Sequence, residues 1–303
     1  MKFSVTYPLV THPYNPEFLT KDGLVRFAQA AERSGFSGIG FTDHPAPTDR
    51  WLQAGGHDAL DPFAALAFVA AVTETIRLIP NVVVLPYRNP FLVAKAVATI
   101  DALSDQRFTL AVGTGYLKGE YKALGVDFDH RNKIFDEAID VLRGVWTADD
   151  FAYEGSTFTA HGQTANPQPG HVPIWIGGNS QLSRRRVAQS ADGWVPFPAP
   201  RQLAGTAKTP PLETVEDLAE MLDYLWRHVD EAGRDRDSID VSFGTSKGGS
   251  PADDSFHVDA HREGLAELAT LGVNWSSVQI PGDSIDHAIE TLERYGEQII
   301  NAT

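Results

Sequence analysis

Asp43-His44 stands directly after the apolar run SGIGFT and directly before Pro45. An imidazole next to a carboxylate can take up or release a proton near neutral pH, with the carboxylate tuning it. An aspartate-capped turn uses the same two residues with no chemistry at all, so the dyad alone leaves both readings open. Three further segments end apolar runs in the same way. Asn81–Pro90, NVVVLPYRNP, closes a branched run with two prolines. It reads either as a plain buried strand or as a backbone shelf for a flat heterocycle, with Asn81, Val82 and Val83 at its start. Gly113-Thr114-Gly115-Tyr116 ends the run RFTLAV, and its glycines permit positive φ and close backbone approach to a ligand. Its spacing to Gly119 is one residue longer than a dinucleotide fingerprint requires. Gly177-Gly178-Asn179-Ser180 precedes a helical pattern, where free N–H groups attract anions. Arg184, Arg185 and Arg186 follow; successive helical residues diverge, so one or two can face such a site. A plain turn with a solvated basic face has the same sequence.

Composition narrows what these residues can serve. The chain has 303 residues, 42% hydrophobic and 21% charged, as a globular protein does. A formal net charge of -15 makes nucleic acid and anionic membranes poor partners. No cysteine is present, which excludes disulfides, thiolate catalysis and cysteine-based metal sites. Ten histidines occur, but no H-E-x-x-H and no tight His/Asp/Glu cluster, so no metal is expected. The start MKFSVTYPLV alternates like a strand, without a signal-peptide core, and no apolar run approaches the length of a membrane helix. A cytoplasmic protein is expected.

Positioning these segments falls to alternating strand and helix patterns from end to end. Strands are expected at 2–7, 37–42, 76–85, 107–112, 172–176, 193–197, 239–243 and 275–280. Helical stripes are expected between them, at 21–34, 62–73, 91–103, 130–146, 181–190, 212–232, 258–271 and 285–300. A hairpin is expected at 151–160, and the Pro/Gly-rich stretches 198–211 and 244–255 read as mobile loops. Eight strand–helix pairs predict an α/β fold, a (β/α)8 TIM barrel with insertions after strands 4 and 6, as one domain over 1–303. An open doubly wound sheet is the competing architecture. Ligands then belong at the carboxyl ends of the strands, where all four segments lie.

The order of FTDH at 41–44, NVVVLPYRNP at 81–90, ALSDQRFTLAVGTGY at 102–116, GEYKALGVDF at 119–128, VPIWIGG at 172–178 and ADGWVPF at 191–197 resembles the luciferase-like flavin and deazaflavin oxidoreductases. Within that superfamily the chain is more similar to the branch that uses coenzyme F420 than to the branch that uses FMN. The resemblance implies a planar ring at the barrel mouth and a non-proline cis peptide near Asn81–Val83. It implies cofactor contacts from Asp43, His44, Asn81, Val82, Val83, Gly113, Thr114, Gly115, Gly177, Gly178 and Asn179. His44 matches the active-site histidine, with Asp43 orienting it. Sugar-phosphate dehydrogenases of this branch place a carboxylate directly after Gly-Thr-Gly; here that position is Tyr116, left as a hydrogen-bond donor, with Glu120 the nearest carboxylate. The implied reaction is hydride transfer between F420 and a small organic substrate. The rivals are an FMN-dependent monooxygenase, a non-catalytic binding barrel, and a barrel hydrolase or aldolase using Lys118 or Lys122. Trp51 and Trp194 are candidate walls of the substrate space. The helices carry apolar faces compatible with a monomer or a homodimer.

Overall fold

A computed structural model describes residues 1–302. Eight parallel strands succeed one another along the chain: Lys2–Thr6, Gly38–Gly40, Arg77–Leu78 continued by Val83–Val84, Leu110–Gly113, Ile174–Gly177, Gly193–Val195, Asp240–Val241 and Trp275–Val278. They form two arcs. In one, the eighth, first, second and third strands lie side by side; in the other, the continued third through the seventh. Single parallel bridges, Leu78 to Phe108 and Ser242 to Trp275, tie the arcs at both seams. The ring is therefore a (β/α)8 barrel with two thin seams rather than eight equal ladders.

Each strand is followed by a helix on the outside, from Lys21–Arg33 after the first to Ile285–Tyr295 after the eighth. Local chemistry sets where they begin. Thr20, Asp61, Asn89, Ser180 and Ser284 each accept a first-turn N–H at a helix start, and Pro62 and Pro90 occupy first-turn positions where no N–H is needed. Thr214 and Asp217 form a reciprocal capping box at the head of Val215–Glu231.

Four details differ from the sequence reading. The third strand, expected unbroken over 76–85, stops at Leu78, resumes at Val83 and passes into a tight 3-10 turn at Leu85–Tyr87. The Asn81–Val82 peptide bond within the break is cis, as the resemblance implies for this segment. The stretch 198–211, read as loop, holds the helix Arg201–Ala207 and is closed by an Ala199–Leu212 bridge. A short helix, Asp49–Gln53, interrupts the expected loop after His44. The hairpin runs Phe151–Glu154 against Thr159–Gln163, slightly longer than expected.

Inside the barrel, two indoles meet edge to face, Trp175 and Trp275, with centroids 5.2 Å apart. Glycines make room for them. A Cβ on Gly193 would stand 2.3 Å from Trp175 Cδ1, and one on Gly38 would stand 2.8 Å from Ile79 Cδ1 and 3.3 Å from Trp275. Replacing Gly193 by valine should therefore overpack the interior and lower the unfolding free energy by about 2 kcal/mol. Urea denaturation measures this; an unchanged midpoint would show that Trp175 can step aside.

Candidate active site

Adjacent residues leaving a strand point to opposite sides, and Asp43 and His44 do so. Asp43 is buried, 4% exposed. Its carboxylate accepts the Val84 N–H at 2.8 Å and both arms of the Arg88 guanidinium, at 2.5 and 2.8 Å. Arg88 also reaches Asp61 at 3.3 Å and lies over the Phe63 ring. Asp43 thus ties the end of the second strand to the continued third strand.

His44 turns the other way, with Nδ1 3.2 Å from Glu120 Oε2. Glu120 has no exposed surface, 0%. The same Oε2 accepts the Tyr87 hydroxyl at 3.0 Å, and Oε1 accepts the Ala46 N–H at 3.1 Å. The expectation that Asp43 orients the imidazole is corrected: both Asp43 oxygens are taken by Arg88 and Val84, and the carboxylate on the imidazole is Glu120. With Nδ1–H donating to Glu120, Nε2 is left as the acceptor nitrogen; it has no hydrogen-bond partner among the described residues. The Trp51 ring lies tilted against the imidazole, centroids 4.6 Å apart, and His57 meets it edge-on at 4.9 Å. Burial holds His57 below the ordinary imidazole value, and its Nδ1–H donates to the Asp58 carbonyl.

The ends of strands three to five converge beside this group. Gly115 adopts φ +62, and a Cβ there would stand 2.5 Å from Val84 Cγ1, so a side chain is excluded twice over. The Thr114 carbonyl accepts the Tyr121 hydroxyl at 2.5 Å. Val82, after the cis bond, covers Gly113 and Gly177; Cβ atoms on them would meet it at 3.0 and 3.3 Å. Val83 is fully buried beneath, paired with Val112. Tyr116 is half-buried; burial raises its hydroxyl pKa and the Glu120 charge adds to the effect, so it stays a donor.

The turn after strand five departs from expectation. Gly178 takes φ +106 as the chain enters the helix Gln181–Ser190. Asn179 is fully buried, and its amide is consumed by Phe197 N–H, Phe197 carbonyl and Pro210 carbonyl at 3.1, 2.9 and 3.2 Å. Its side chain therefore fastens the loop after strand six and is not available to a ligand. Arg184 is buried under the next helix, donating to the Met221 carbonyl, and Arg186 pairs with Asp136. Arg185 is exposed, so two of the three arginines serve packing.

A cavity of 470 Å³ opens at this end of the barrel, lined by residues at or just beyond all eight strands. Thr6, Thr42, Asn81, Trp175, Phe197 and Gln279 are among its walls, and none of the described residues lining it is ionisable. His44 and Tyr116 are not among the described residues that line it. A depression of 510 Å³ by Trp146 and His171 lies at the opposite end, near the start of strand five, away from all of these groups. Trp194, a candidate wall, is core: it is fully buried and donates to the Gly178 carbonyl. Lys118 lies over Phe128 and Lys122 is exposed, so neither resembles an activated lysine. Gly244-Thr245-Ser246-Lys247-Gly248 carries the G-x-S-x-G spacing of a hydrolase elbow. Ser246 sits on an exposed loop well ahead of the helix Val258–Thr270, and His261 is engaged by the Lys247 carbonyl and the Tyr295 hydroxyl. Among the described residues, no group of His, Asp and Glu could hold a metal ion, and no helix is long and apolar enough to cross a membrane.

Arg88, Tyr87 and Glu120 are the residues that sequence reasoning left without a role. Replacing Arg88 by methionine leaves a buried carboxylate with one N–H donor and should cost about 3 kcal/mol of stability. Equilibrium urea unfolding measures it; a loss well under 1 kcal/mol would mean that Asp43 does not depend on the guanidinium.

Relatives with this architecture are known. An F420-dependent glucose-6-phosphate dehydrogenase of Nocardia farcinica is 33% identical over 178 residues, 57% of this chain and 52% of that protein. An FMNH(2)-dependent dimethylsulfone monooxygenase of Pseudomonas putida is 32% identical over 174 residues, 55% of this chain and 46% of that protein. The matched region thus spans about half of each of these two relatives. The crystal structure of monooxygenase RslO1 from Streptomyces bottropensis superposes with a TM-score of 0.81 at 19% identity over 99% of both chains, a likeness of fold. The profile of the luciferase-like monooxygenases matches residues 1–247. With the parallel barrel and the cis bond in its third strand, that match places the chain in the luciferase-like monooxygenase family, whose members here include both F420- and FMN-dependent enzymes.

Proposed function

We propose that this protein is an oxidoreductase that transfers a hydride between coenzyme F420 and a small organic substrate at the barrel mouth, with His44 carrying the accompanying proton. The observation that carries this reading is the imidazole clamped at Nδ1 by a buried carboxylate, with Nε2 unpartnered among the described residues at the carboxyl ends of the strands. Gly113, Gly115 and Gly177 let Val82 and Val84 pack close, so the converging strand ends form a shelf of backbone and branched side chains, and the adjoining cavity, with no ionisable residue among its described walls, is left to the substrate. A shelf of that kind fits the face of a flat, mostly apolar ring. Bound there, a deazaflavin would supply a carbon that gives or accepts a hydride but resists one-electron chemistry with oxygen.

The chain's own groups do the rest. Nε2 of His44 holds the proton that the substrate oxygen gains or loses. Glu120 fixes the tautomer, and Tyr87 and the Ala46 N–H keep Glu120 in place. Trp51 against the imidazole restricts water on that side. Tyr116 is a second donor near the same carboxylate. Backbone at Asn81, Val82, Val83 and Thr114 and the glycine turns support the ring, whereas Asp43 acts at one remove, through Arg88 and Val84.

A second reading, FMN-dependent monooxygenation, draws on the dimethylsulfone monooxygenase, which is as similar to this chain as the F420 relative. Titration of the purified protein with F420 and with FMN, read by fluorescence quenching, separates the two. F420 should bind roughly tenfold tighter or better; tight binding of FMN alone would overturn the cofactor choice. His44→Ala should keep the fold by circular dichroism and lower turnover about 100-fold or more; undiminished turnover would remove His44 from the mechanism.

A further inference from the structure

The barrel interior is graded in charge. Its ionisable side chains lie at the amino-terminal end of the strands: Lys2 over the Trp275 ring, Arg77 bonded to Thr109, and Asp240 bonded to Asn274. Above the two indoles, the 470 Å³ cavity is walled by apolar and neutral polar groups, with no ionisable residue among those described. Five of its polar side chains, those of Ser4, Thr42, Ser242, Ser277 and Gln279, make no hydrogen bond to any described residue. Register gathers them: Ser4 pairs with Ser277 across the first and eighth strands. Trp175, on the same wall, has a buried Nε1–H with no hydrogen-bond partner among the described residues, although such donors are normally satisfied.

We infer that the substrate chamber is built for an uncharged molecule bearing a hydroxyl or carbonyl group, and discriminates against carboxylates, sulfonates, phosphate esters and ammonium ions. The inference takes the chamber from the function proposed above and adds the class of substrate. Hydroxyls and an amide both donate and accept, so they suit an alcohol and its ketone alike. An ion entering the same space loses its hydration and meets no counter-charge among the described walls. The net charge of -15 adds long-range repulsion of anions. The contrast with a sugar-phosphate substrate lies in the walls themselves.

The test uses the purified full chain, without cofactor and without turnover. Three ring-matched probes, cyclohexanone, cyclohexanecarboxylate and cyclohexylammonium, are titrated at pH 7 and read by ligand-observed NMR. Cyclohexanone should bind roughly tenfold or more tighter than either ion. Equal or tighter binding of either ion, or no binding of any probe, overturns the inference. Ser277→Lys should shift the preference toward the carboxylate; if that variant does not fold, Gln279→Lys serves in its place. An unchanged preference in a folded variant would put the binding elsewhere and sink the proposal. Failure of the F420 titration would leave this selectivity standing, and failure of the selectivity would leave the F420 titration standing.

Discussion

A carboxylate with no exposed surface persists only where donors converge on it, and Glu120 is met by three. The His44 ring comes from the end of strand two, the Ala46 N–H from the loop beyond it, and the Tyr87 hydroxyl from the turn that ends strand three. Glu120 itself stands on the short helix Lys118–Ala123 after strand four. One side chain thereby joins three successive strand ends. Removing any donor leaves the others around a poorly satisfied charge, so the imidazole, the turn and the helix hold position together. The barrel supplies the anchor points, and this contact converts them into a group aimed at the mouth.

Asp43 performs the matching task on the opposite side of the chain. Its paired bonds to Arg88 and its bond to Val84 N–H secure the resumed third strand next to the second. The glycines of strands four and five let that resumed strand lie close, with Val82 over Gly113 and Gly177 and Val84 over Gly115. Two carboxylates in one neighbourhood therefore divide the labour. Asp43, held by a permanent cation, is structural; Glu120, held by an imidazole, a phenol and an amide, faces the group proposed to move a proton.

How much of this was legible in the sequence follows from the range of each interaction. Strand–helix alternation is local, and it fixes eight strands and their helices to within a few residues. The helix start at Asp61-Pro62 was legible for the same reason, whereas the next helix, expected from 91, starts one residue earlier at Pro90. The break in strand three left no mark in the local pattern, because apolar runs carry no period that shows a kink, and only the resemblance pointed to it, through the cis peptide implied near Asn81–Val83. The Asp43-His44 dyad suggested a pair because the two are neighbours in sequence, whereas neighbours at a strand end diverge. The true partner of His44 lies 76 residues away. Only the stretch GEYKALGVDF pointed to it, and only as part of a resemblance. Asn179 and Arg184 carry the chemistry of ligand contacts but spend it on nearby backbone carbonyls, and no local pattern distinguishes those two uses.

The central claim is that Glu120 holds His44 as the Nδ1–H tautomer, with Nε2 free. Two-dimensional proton–nitrogen NMR on protein labelled at the histidine ring nitrogens observes this directly. A neutral His44 should show the Nδ1–H pattern, and the pattern should change in Glu120→Ala. An Nε2–H tautomer in the unmodified protein, or spectra indifferent to the loss of Glu120, would contradict the account.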